Sequence, residues 1–89
     1  MVSNLQDPDL RKAWEDWVTR ACDAVGVDPR LVDIDEVHRL TKHVAHRFER
    51  PMAPVSSLIL GLAIASGGDP LDLRHRIEAT LPGVAEPSE

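Results

Sequence analysis

Hydrophobic residues recur at helical spacing in four separate stretches, and no stretch alternates with the period of two that marks a strand. Leu10, Ala13, Trp14, Trp17, Val18, Ala21 and Val25 fall on one side of a helix over about residues 8–25. Asp7-Pro8 supplies its start, with a carboxylate for orphan N–H groups and a proline suited to the first turn. Gly26 supplies a left-handed stop. After a connector at 27–32, Asp33-Ile34-Asp35-Glu36 has the form of a capping box. Ile34, Val37, Leu40, Thr41, Val44, Ala45 and Phe48 then predict a second helix over 34–49, ended by Pro51. The third helix, over 54–66, opens on Pro54 and closes at Gly67-Gly68. It is apolar nearly all round, with Val55, Leu58, Ile59 and Leu62 pointing one way and Leu60 and Ile64 the other. Asp69-Pro70 starts a fourth helix carrying Leu73, Ile77 and Leu81 and ending before Pro82.

The pattern predicts an all-α fold: a compact four-helix, bundle-like domain with a buried apolar third helix at its centre. Leu58 and Leu62 are its expected core anchors. Gly61 inside that helix costs about 1 kcal/mol relative to alanine. Close approach of another backbone, from the same chain or across a homodimer interface, would explain its presence. The single domain is expected over residues 1–82, with 83–89 a flexible acidic tail.

Composition narrows the functional classes. The 89 residues allow one small domain, and at 43% hydrophobic and 28% charged they are ordinary for a globular chain. The net charge of −5 argues against nucleic acid as a partner. The charge is uneven, because residues 38–50 hold four bases and one acid while the flanking segments are acidic. A single cysteine, Cys22, forms no internal disulfide and fits a reducing cytoplasm. The first twenty residues lack the apolar stretch of a signal peptide, and the apolar run from Val55 to Ala65 is too short for the roughly 20 residues of a membrane span.

The candidate chemistry lies in and just after the second helix. Arg39, His43, His46 and Arg50 fall on one side of a helical wheel, with Lys42 and Arg47 at its margins. This is a basic strip on an acidic chain. Its bland interpretation is a solvated face near a helix C-terminus. Its functional interpretation is contact with an anion or an acidic partner, aided by the start of helix 3 at Pro54 and the N–H groups and hydroxyls of Ser56 and Ser57. His46 and Arg50, four residues apart, are expected to be neighbours. With Pro51 and Pro54 they make a corner that either caps the helix end or meets a ligand. His43 and His46 converge poorly with Glu49, so no metal site is expected. No cofactor is expected. Ser56 and Ser57 lack the elbow glycines and base of a nucleophile, so no catalytic residue is assigned. Trp14 and Trp17 read as packing residues rather than a stacking platform.

The segment Val44-Ala45-His46-Arg47-Phe48-Glu49-Arg50-Pro51-Met52-Ala53-Pro54, followed by Leu58-Ile59-Leu60-Gly61-Leu62-Ala63, resembles a small actinobacterial helical domain of unknown function. That domain has the pattern V-A-H-x-x-x-R-P-x-A-P followed by an apolar L-x-G-x-A helix. Trp14/Trp17 and Asp33-Ile34-Asp35 match it in order, and the resemblance spans roughly residues 10–80. The domain occurs alone or fused to a protein like the molybdenum-cofactor guanylyltransferase. The resemblance thus implies a non-catalytic accessory module near molybdenum-cofactor biosynthesis, with a nucleotidyltransferase as protein partner. The alternative is a small anionic-ligand or phosphate site at the corner between helices 2 and 3.

Overall fold

The computed structural model describes residues 7–82. Its elements are α1 (Pro8–Val25), a 3₁₀ turn (Pro29–Leu31), α2 (Ile34–Arg47), a second 3₁₀ turn (Arg50–Met52), α3 (Ala53–Ala65) and α4 (Pro70–Glu78). The described residues are all-α, and no strand occurs among them. The expected tail at 83–89 lies outside the described residues. No helix among them is long and apolar enough to cross a membrane.

Local chemistry sets the helix ends. The Asp7 carboxylate accepts from the N–H groups of Asp9 and Leu10, Asp33 from Glu36, and Asp69 from Asp72. Each satisfies donors that the first turn leaves without intrahelical partners. Gly26, at φ 76°, closes α1 in the left-handed conformation that glycine adopts without steric cost.

The chain divides into two units, residues 1–32 and 33–89. In the first, α1 packs with the 3₁₀ turn at Pro29–Leu31, and Cys22 is buried. Trp14 is half-buried, but Trp17 is 61% exposed, so the packing role expected of the pair does not extend to Trp17.

In the second unit α2, α3 and α4 pack on one another. The core is Leu40 and Val44 of α2 against Leu60 and Ile64 of α3, flanked by Val37, Leu73, Ile77 and Leu81. This corrects the expectation of a buried α3 with Leu58 and Leu62 as its core anchors. Only Ser56, Leu60 and Ile64 of that helix are buried, at spacing four, whereas Leu58 and Leu62 are 63% and 62% exposed. The reason is the neighbours' geometry: two helices touch one side of α3, and an apolar residue on the far side has nothing in the unit to meet. Ser56 tolerates the inward side because its hydroxyl donates to its own helix, to the Ala53 carbonyl at 2.6 Å.

Candidate interaction surface

The basic strip does not survive as one face. Arg39 donates from Nη1 to Glu36 Oε2 at 2.7 Å, and His43 donates from Nδ1 to Glu78 Oε2 at 2.6 Å. Both are drawn into an ion cluster that ties α2 to α4. At its centre lies Arg74, whose buried guanidinium donates to Glu36 from Nε and to both Glu78 oxygens from Nη1, at 3.0 and 2.9 Å. Three charged side chains, Glu36, Arg74 and Glu78, are thus buried together with their hydrogen bonds made. Burial works against the Arg74 charge, but its bonds to Glu36 and Glu78 outweigh burial and raise its pKa above the usual arginine value. Burial likewise pushes the Glu78 carboxyl up. The bonds from His43 and Arg74, with the Arg74 charge, outweigh burial and hold the carboxyl below its ordinary value.

Glu36, Arg74 and Glu78 were not among the sequence candidates. Glu36 reads locally as the reciprocal member of a capping box, but its carboxylate reaches Arg39 and Arg74 instead. The usable signal is positional. On a helical wheel Arg74 and Glu78 border the Leu73/Ile77/Leu81 stripe, and Glu36 and His43 border Leu40. Charges at the edge of a buried stripe are the ones able to pair across helices.

The corner itself also differs from expectation. α2 ends at Arg47, with Phe48 at φ −132°, ψ −100° and Glu49 extended at φ −140°, ψ 135°. The helical relation between His46 and Arg50 is therefore broken, and Arg50 belongs to the 3₁₀ turn with Pro51. Pro51 disfavours helix at the residue before it, and the chain leaves α2 early enough to start a new turn there. Arg50 does not cap α2 as a helical neighbour; its carbonyl accepts from the Ala53 N–H. Pro54 sits in the first turn of α3, as expected. Ser57, like Ser56, directs its hydroxyl to the Ala53 carbonyl, at 3.4 Å. His46, Arg47 and Arg50 are exposed and belong to no ion pair among the described residues. The described residues include no group of three His, Cys, Asp or Glu side chains placed to hold a metal ion.

Beside these cations the surface turns apolar. Phe48, Met52, Val55 and Ile59, exposed by 49%, 38%, 42% and 50%, surround a cleft of about 130 Å³ closed by Val44, Ile77 and Leu81. A second cleft of about 310 Å³ continues past Ile59 along Ala63, Leu73, Arg76 and Ile77. The first is well below the roughly 300–1,000 Å³ of small-molecule sites, and neither gathers the convergent polar groups that orient a substrate. Together the two clefts leave a shallow apolar patch with polar side chains at its rim.

The family model described as "Domain of unknown function (DUF6457)" matches residues 9–88, and the chain belongs to that family. No curated protein and no solved structure matches it.

Proposed function

We propose, taking membership of that family as the premise, that the chain is a non-catalytic accessory module that binds a protein partner. The contact is the Phe48–Ile59 groove with His46, Arg47 and Arg50 beside it. The observation that supports this most is the exposure of Phe48, Met52, Val55 and Ile59 around one cleft, next in the chain to cations outside every described ion pair. Apolar anchors supply contact area, and rim charges supply orientation and a faster encounter. The resemblance of the Val44–Pro54 segment to domains fused to molybdenum-cofactor guanylyltransferase-like proteins makes such a nucleotidyltransferase the partner we put forward. With that partner, the role we put forward is near molybdenum-cofactor biosynthesis. A reducing cytoplasm, in which the lone Cys22 remains a thiol, is the proposed setting.

The small-anion alternative retains Arg50 and His46. It loses the Ser56 and Ser57 hydroxyls to Ala53, and Arg39 and His43 to the ion cluster. Titration calorimetry of a molybdenum-cofactor guanylyltransferase-like protein against the chain tests the proposal. Saturable binding is expected, weakened at least about tenfold, or 1.4 kcal/mol, by Phe48→Asp. Arg50→Ala should weaken it most at low salt, where screening is least. Binding that neither variant changes overturns the reading. Displacement of the partner by inorganic phosphate would favour the small-anion site.

A further inference from the structure

The described residues hold two sulfur-bearing side chains, and the fold treats them in opposite ways. The Cys22 thiol, the more common target of oxidants, is buried in α1 at 6% exposure. Met52 is 38% exposed and lines the smaller cleft with Phe48, Val55 and Ile59. Its backbone is held in place. The Met52 N–H donates to the Glu49 carbonyl at 3.0 Å, and Pro51 and Pro54 restrict the chain on both sides. Met52 therefore stays at the cleft and within reach of solvent.

The cleft has no side-chain donor to offer a new polar group. Ser56 and Thr80 are the hydroxyl residues that line it, and they donate to the carbonyls of Ala53 and Ile77, at 2.6 Å each. An oxygen added to Met52 would lose its water under any apolar occupant and gain no bond in exchange, which costs affinity.

We propose that Met52 is a reversible oxidation site whose sulfoxide closes the cleft to an apolar occupant. The oxidant is a hydroperoxide, in the simplest case hydrogen peroxide. A lone pair of the Met52 sulfur attacks one peroxide oxygen, so that an S–O bond forms and the O–O bond breaks. The hydroxide set free takes the proton from the sulfur-bound oxygen and leaves as water. The sulfur gives up two electrons and the peroxide gains them. A flexible apolar side chain becomes a polar one, and methionine sulfoxide reductases reverse the change. The consequence for protein binding rests on the partner reading, in which Met52 is an anchor; the site of oxidation and the closing of the cleft do not.

Peroxide treatment of the full chain, followed by peptide mass mapping, locates the site. One added oxygen is expected on Met52, with the Cys22 thiol retained. An apolar fluorescent dye reads the cleft, where its binding is the part of the signal that Phe48→Asp removes. Oxidation should weaken that part at least about tenfold, a reductase should restore it, and Met52→Leu should bind the dye equally before and after peroxide. The same treatment should weaken binding of the nucleotidyltransferase by a similar factor. An untreated chain that does not bind the transferase sinks the partner reading alone, because mapping and dye still decide the oxidation site. Met52 left intact under conditions that oxidise free methionine overturns the proposal. So does an oxidised chain that binds the dye at the cleft as the untreated chain does.

Discussion

The two sides of α3 have the same kind of residues and opposite fates. Leu60 and Ile64, inward, are 0% and 6% exposed against Leu40 and Val44; Leu58 and Leu62, outward, are more than half exposed. One side is closed by α2 and α4, and the other is left to whatever the chain meets. Burial here is thus a property of the neighbours and not of the side chain. An apolar helix surface is buried only where its own unit supplies a helix to meet it.

The largest expected effect tests what closes the inward side. α2 and α4 are joined through Arg74, and Arg74→Ala removes the buried cation that Glu36 and Glu78 share, leaving them only Arg39 and His43 at the edge of the cluster. Denaturant melts should show a loss of about 3–5 kcal/mol. A loss below about 1 kcal/mol would mean the cluster is not what positions α4. The contrast within α3 comes next. Leu60→Ala should cost about 2–5 kcal/mol, while Leu62→Ala in dilute solution should stay within about 0.5 kcal/mol, the scale of a surface change. Equal costs would erase the difference between the two sides.

The acid response is smaller and has a definite sign. The Glu78 carboxyl titrates below its ordinary value in the folded chain, so its contribution is fully present above the unfolded carboxylate range. It is lost as pH falls through the lower, folded value. Melts run from neutral pH down through this range should fall off less steeply for Glu78→Gln, and parallel curves would contradict the assignment. The smallest effect is at Arg50. Exposed and outside the described ion pairs, it should leave the melt unchanged on replacement by alanine, within about 0.5 kcal/mol. A drop of about 1 kcal/mol, the scale of a lost hydrogen bond, would assign it to the fold instead.

What was legible in the sequence was local. Asp7, Asp33 and Asp69 cap within two or three residues, and Gly26 acts on its own backbone, so each shows in a short window. The inward side of α3 was not legible, because a helix apolar all round gives periodicity nothing to resolve. Ser56, the one buried polar residue of that helix, satisfies itself through Ala53 and so does not betray its direction. The break at Phe48 was missed by two residues, since proline at 51 fixes where helix becomes unfavourable but not how early the chain departs. Glu36, Arg74 and Glu78 escaped for a different reason. The bond from Arg74 to Glu36 spans 38 positions, and no spacing rule along one helix reaches that far. The basic strip was correct as a pattern of charges. It was then divided by partners on α4 that took His43 into the fold, and by Glu36, which holds Arg39.

The most direct test of a helix with one side closed by its neighbours and one side open is methyl NMR on leucine-labelled protein with a soluble paramagnetic agent added in steps. The methyl signals of Leu58 and Leu62 should broaden progressively as the agent is added, while those of Leu40 and Leu60 stay sharp. Four signals that broaden alike, or Leu58 and Leu62 signals that stay as sharp as those of Leu40 and Leu60, would contradict that division.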